Sequence, residues 1–267
     1  MIITDSFVML NYPKTGSEFA RKMIVQAYKS RHYSLLERVM FRSKLKKKPY
    51  LIIKEFPNIR DTSAKRGFLD EHGIYKQIPN EHRGKQIISI RRDIYDRYIS
   101  LYEFRDWVKS PWLPKKDLDE RFDNYEQITF SEFLHLLYED NPREQLPEVN
   151  RKLPIGPATS QFILFFFKEP FKILRNIDDA YMNSDQYKED MAPIKFLKQS
   201  HLNEDIFKFL KSNGFKEKDI EPILNAPKIN NSTPIGKSRD DYFTPDLYDL
   251  VNNKERFLFK ILNDLDD

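Results

Sequence analysis

Short, continuous apolar runs alternate with stripes of helical period along this chain. Phe7, Val8, Met9 and Leu10 form a wholly apolar run suited to a central strand of a parallel sheet. Asn11-Tyr12-Pro13 breaks the run, and after Lys14-Thr15-Gly16-Ser17 the period changes, with Phe19, Ala20, Met23, Ile24, Ala27 and Tyr28 sharing one helical face. Tyr50 to Ile53 reads as a second buried strand. Gln86 to Ile90 reads as a third, running directly into a helix with Ile94, Tyr95, Tyr98, Ile99 and Tyr102 on one side. Ile194 to Leu197 reads as the last strand.

Helix signals punctuate the rest. Thr129 and Glu132 form a capping box, Ser160 to Lys168 reads as an aromatic-rich core helix, and Asn203 to Gly214 carries a cap residue at each end. Thr244 as N-cap and Pro245 in the first turn open a tail helix striped by Leu247, Leu250, Val251, Leu258, Ile261 and Leu262. Residues 106 to 128, polar and holding Trp107 and Trp112, read as an irregular excursion. Strands interspersed with helices predict the α/β class: a three-layer α/β/α fold with a central, mainly parallel sheet, in one domain spanning residues 1–267.

Composition narrows the chemistry. Cysteine is absent, which removes disulfides and thiolate metal sites and fits a reducing compartment. No signal-peptide pattern or membrane-length apolar run is visible, so the expected location is the cytoplasm. The formal charge of +4 is too balanced to argue nucleic-acid binding. The sharpest basic run, Ser43-Lys44-Leu45-Lys46-Lys47-Lys48, reads as a solvated loop or helix end that can also meet an anion.

Two strand-turn-helix junctions are candidate anion sites. The first, Pro13 to Ser17, would aim amide N–H groups, two hydroxyls and an ammonium at one point before a helix N-terminus. Neither GxxxxGK[ST] nor GxGxxG occurs among the seven glycines, which argues against a nucleoside-triphosphate loop and hence against a small-molecule kinase. The second junction is Arg91-Arg92 at the end of the third strand.

Pro13-Lys14-Thr15-Gly16-Ser17 resembles the 5′-phosphosulfate loop of sulfotransferases that use 3′-phosphoadenosine 5′-phosphosulfate (PAPS). Arg92 to Ser100 resembles that family's 3′-phosphate signature, RxPxxRxxS, with Ile94 in place of the proline. The resemblance implies a P-loop-like sulfotransferase fold and sulfuryl transfer from PAPS to a hydroxyl or amine acceptor. It implies Lys14 at the leaving oxygen, with Thr15, Gly16 and Ser17 on the 5′-phosphate and Arg92 and Ser100 on the 3′-phosphate. No metal is implied, because lysine and arginine carry the countercharge.

Leu69 to Ile74 is similar to the place where many members carry a histidine, which makes His72 the candidate general base, with Glu71 as an alternative. Asn230-Asn231-Ser232 and Ile235 to Arg239 resemble the late loop, which adds Lys237 and Arg239 as candidate 3′-phosphate contacts. Glu18, where cytosolic members commonly have a hydroxyl, reads as a first-turn acid and not as a ligand. Asn231-Ser232 and the Arg92 signature lean towards the carbohydrate-type branch, with an acceptor pocket built from 106–128 and 143–159. The competing class is a non-catalytic module that binds an anionic nucleotide or polysaccharide.

Overall fold

The computed structural model describes residues 1–57, 69–111, 113–139, 153–227, 229 and 237–266. Five strands form its main sheet: β1 (Ile2–Thr4), β2 (Phe7–Met9), β3 (Leu51–Ile53), β6 (Gln86–Arg91) and β7 (Ile194–Lys198), in the order β3-β1-β2-β6-β7. β2, β6 and β7 are mutually parallel, and β1 runs antiparallel between β2 and β3. Four of the five strands therefore point the same way. A two-stranded ribbon, β4 (Phe56–Pro57) with β5 (Leu69–Asp70), stands apart from this sheet.

The pleat explains why the strands read as continuous apolar runs. Val8, Leu10, Ile87 and Ile194 join one core, while Phe7, Met9, Ile88, Ile90 and Leu197 join the other. The first core is closed by α3 (Ile94–Phe104), α4 (Phe130–Glu139), α5 (Pro157–Phe166) and α7 (Pro245–Asp264). Against the second lie α1 (Ser17–Ser30) and α6 (Leu202–Ser212). The α/β/α layering and the mainly parallel sheet follow the sequence pattern. A further helix, α2 (Leu35–Arg42), contributes no buried residue to either core.

Several expectations need correction. β1 was not predicted; its hairpin to β2 is closed by the Thr4 side chain, whose Oγ1 accepts from the amides of Ser6 and Phe7 and donates to the Phe7 carbonyl. The Tyr50 to Ile53 strand exists but is not buried: it pairs only with β1 among the described residues, and Ile52 and Ile53 are exposed. Asn203 is not an N-cap. It lies one residue inside α6, where its Nδ2 donates to the carbonyls of Ile223 and Ala226. The excursion at 106–128 contains short helices at Asp106–Lys109 and Lys115–Arg121, with Trp107 buried and its Nε1 donating to the Tyr102 carbonyl. Trp112, residues 230–236 and most of 143–159 lie outside the described residues.

Candidate active site

The loops that leave β2 and β6 meet at the carboxyl edge of the sheet. Leu10 N donates to Ile88 O at 2.9 Å and Ser89 Oγ donates to Leu10 O at 3.0 Å, which fixes the two loop origins side by side. This is the edge where ligands of open parallel sheets bind. A cavity of about 890 Å³ opens there, lined by Lys14, Gly16, Ser17, His72, Arg92 and Ser100 together with residues from α5 and from the loop after β7.

Residues 14 to 17 form a strained turn. Lys14 has φ 64° and Gly16 φ 88°, both left-handed, and only the glycine adopts that conformation without steric cost. The hydroxyls of Thr15 and Ser17 both donate to Tyr12 O, at 2.8 and 2.9 Å, and tie the turn to its own base. The N-cap of α1 is Gly16, which has no side chain to cap the helix, so the first-turn amides open towards the cavity end. A Cβ on Gly16 would stand 3.0 Å from Leu202 of α6.

Electrostatics concentrate positive charge here. Lys14 Nζ lies over the Phe104 ring, 2.8 Å from its centroid. Burial lowers its pKa to about 8, Asp106 opposes that shift, and Arg92 and Arg97 add to it. The Arg92 guanidinium donates from Nη1 to Lys14 O at 3.4 Å, while its buried Nε has no partner among the described residues. Burial is also the largest influence on Arg92, lowering its pKa. A buried donor left unpaired costs about 1–3 kcal/mol, so this constellation fits an anionic ligand better than an apolar one.

His72 reaches the same cavity through a different connection. The β4–β5 ribbon delivers it, and a Cβ on Gly73 would be 2.6 Å from the Phe56 ring, so the loop is packed tightly on β4. The His72 amide donates to Asp70 Oδ1 at 2.7 Å, and Nδ1 lies 2.8 Å from Asn11 O. A carbonyl accepts only, so Nδ1 carries the proton and Nε2 is the basic nitrogen of the neutral ring. Glu71 lines the cavity too, but its carboxylate is ion-paired with Arg21. Glu18 stands on the wall with its carboxylate 2.9 Å from Lys22 Nζ.

Residues 4–157, more than half of the chain, match the family model of the sulfotransferase domain. The chain belongs to the sulfotransferase family. No curated protein and no solved structure matches it. As a sulfotransferase it needs a nucleotide donor and an acceptor, and the cavity has polar groups beyond those the motifs indicated.

Three candidate residues lie elsewhere. Thr15 is wholly buried and does not line the cavity of this sulfotransferase. Lys237 lies 4.0 Å from Glu103, and Arg239 Nη2 bonds Asp93 and Asp96 at 2.9 and 2.8 Å, so both are held by carboxylates of the Asp93–Phe104 segment and neither lines the cavity.

Other wall residues were given no role by the motifs, although Arg97 stands at the second arginine of RxPxxRxxS. Arg97 is buried, packs its guanidinium over the Tyr12 ring, donates from Nη2 to Gln161 Oε1 and leaves Nε unpartnered; Gln161 Nε2 is likewise unpartnered. The available signal was the second arginine of that pattern, on the buried stripe of α3, and a glutamine in the wholly buried, mostly apolar α5. Gln199, Ser200 and His201 also line the cavity, from the segment after β7.

Glu255 of α7 holds the far wall. Wholly buried, it accepts from the Ala158 and Thr159 amides at 3.2 and 2.7 Å, in the first turn of α5, and from the Tyr98 hydroxyl of α3. Burial first, and then the Glu255 charge, raise the Tyr98 pKa, so its hydroxyl stays a donor.

Proposed function

We propose that this sulfotransferase moves the sulfuryl group of PAPS to an acceptor hydroxyl, with the carbohydrate class as the first candidate acceptor. The donor supplies an activated sulfuryl group and a phosphate leaving group. The reading is carried by the unpartnered, buried Nε of Arg92 beside the backbone of the Lys14 turn, where a phosphate oxygen supplies the missing acceptor. The α1 amides, Gly16 and Ser17 hold the 5′-phosphate end. Arg92 and Ser100 hold the 3′-phosphate. Thr15 keeps the turn closed, and Lys237 and Arg239 support α3.

Lys14 stabilises negative charge on the bridging oxygen as the S–O bond to the phosphate breaks. His72 Nε2 takes the acceptor proton as the new S–O bond forms, and its Nδ1–H stays on Asn11 O. Arg97, Gln161, Asp106 and Lys109 give the acceptor side a polar wall, which suits the many hydroxyls of a sugar. That agrees with the resemblance of the Arg92 signature to the carbohydrate-type branch.

A thermal-shift series with 3′,5′-ADP, 5′-ADP and ATP tests the donor assignment. The first should stabilise the protein well beyond the other two, and Arg92→Ala should erase the preference for 3′,5′-ADP over 5′-ADP. Equal stabilisation by all three nucleotides would reject PAPS as donor. Turnover of PAPS with a panel of sugars, phenols and alcohols then ranks the acceptors.

A further inference from the structure

Helix α2 turns its apolar side to solvent. At 3.6 residues per turn, Leu35, Leu36, Val39 and Met40 fall within one arc of about 140°. Leu35, Leu36 and Val39 are 80%, 70% and 59% exposed. The opposite side is the anchored one, where Glu37 lies 3.7 Å from Lys216 and Phe41 packs edge-on against Tyr33. A complete capping box between Ser34 and Glu37 holds this short helix formed, although eight residues would not be helical alone.

Charge surrounds the apolar arc. Arg38 and Arg42 flank it and are exposed, and the chain continues into Ser43–Lys48, where Leu45 is also exposed among four lysines. From Lys29 to Lys48 there are eight lysines and arginines and one acidic residue, Glu37. A solvated loop has no use for three exposed leucines and a valine, and a polyanionic sugar would be held by the lysines alone. A lipid surface uses both, since apolar side chains enter the headgroup boundary while cations meet anionic headgroups.

We propose that α2 and the Ser43–Lys48 run dock this protein on a membrane surface rich in anionic lipid. The inference does not depend on the donor or the acceptor. With so few inserting side chains, binding is reversible and needs both components.

Co-sedimentation with phosphatidylcholine vesicles, with and without phosphatidylserine, tests it. Binding is expected only when phosphatidylserine is present. It should weaken by roughly tenfold or more in Leu36→Glu and in the combined Lys46→Glu, Lys47→Glu, Lys48→Glu variant, because one loses insertion and the other the attraction. Raising salt from about 0.1 to about 1 M should release the protein, as the screening length falls from about 10 to about 3 Å. None of these side chains lines the cavity and all are exposed, so the thermal midpoint should stay near the wild-type value and certify that the variants fold. Equal binding to neutral vesicles, or no binding to either kind, overturns the proposal. So does lysine-dependent retention on heparin without vesicle binding, which would make the ligand a polysaccharide. Self-association abolished by Leu36→Glu without vesicle binding would assign the face to a second copy of the chain and overturn it equally.

Discussion

Lys14 combines a left-handed backbone with an ammonium pressed on an aromatic ring, and its lowered pKa of about 8 has a kinetic consequence. Below that pH the ammonium is charged and can meet the donor; above it the free enzyme loses the charge. kcat/KM should therefore fall with unit slope above about pH 8, and Lys14→Arg should move that limb upward, since guanidinium stays protonated throughout. A flat alkaline profile in the wild type would show that the Lys14 charge is not used. For His72, glutamine keeps size and hydrogen bonding but accepts no proton at neutral pH. His72→Gln should lower turnover by about two to four orders of magnitude while leaving 3′,5′-ADP affinity near normal, as single-turnover rates and calorimetry would report. A loss below about threefold would place the base elsewhere.

Between β2 and α1 the turn depends on Gly16, whose φ of 88° and approach to Leu202 both resist a side chain. Gly16→Ala should cost about 1–3 kcal/mol of stability, visible as a lowered thermal midpoint, and should weaken 3′,5′-ADP binding because the first-turn amides shift with it. An unchanged midpoint would mean that the turn relaxes freely. The elements most legible in the sequence were β2 and β6, because central strands covered on both faces read as nearly continuous apolar runs. The same signal misled at Tyr50 to Ile53, where a β-branched run forms an exposed edge strand that periodicity cannot distinguish from a central one. β1 escaped notice because three residues carry no period. In the site, Lys14, Gly16, Ser17, His72, Arg92 and Ser100 were picked out by local motifs, and all line one cavity. Arg97 lines it too and stands at the second arginine of the same RxPxxRxxS pattern, whereas Gln161 and His201 could not be read out that way, since only the fold brings α5 and the loop after β7 to α3.

The molecule as a whole is two cores on either face of one sheet, and Glu255 joins three helices of the first core by its hydrogen bonds to α5 and Tyr98. Glu255→Ala strands two buried amides of α5 and the Tyr98 hydroxyl, so the expected loss is about 3–5 kcal/mol, measured by denaturant unfolding. Stabilisation by 3′,5′-ADP should fall as well, because α3 also carries Ser100. If stability drops while nucleotide binding is untouched, the network supports the core alone. No helix among the described residues is long and apolar enough to cross a membrane. The reach of Glu255 also sets an order of assembly during synthesis. The Lys14 turn is made early on the ribosome, yet the cavity walls on α3 and α5 wait for a carboxylate 96 residues after Thr159. A nascent chain therefore carries an incomplete site until α7 has emerged, and the newly made protein should become able to bind its nucleotide abruptly, late in translation, rather than by degrees.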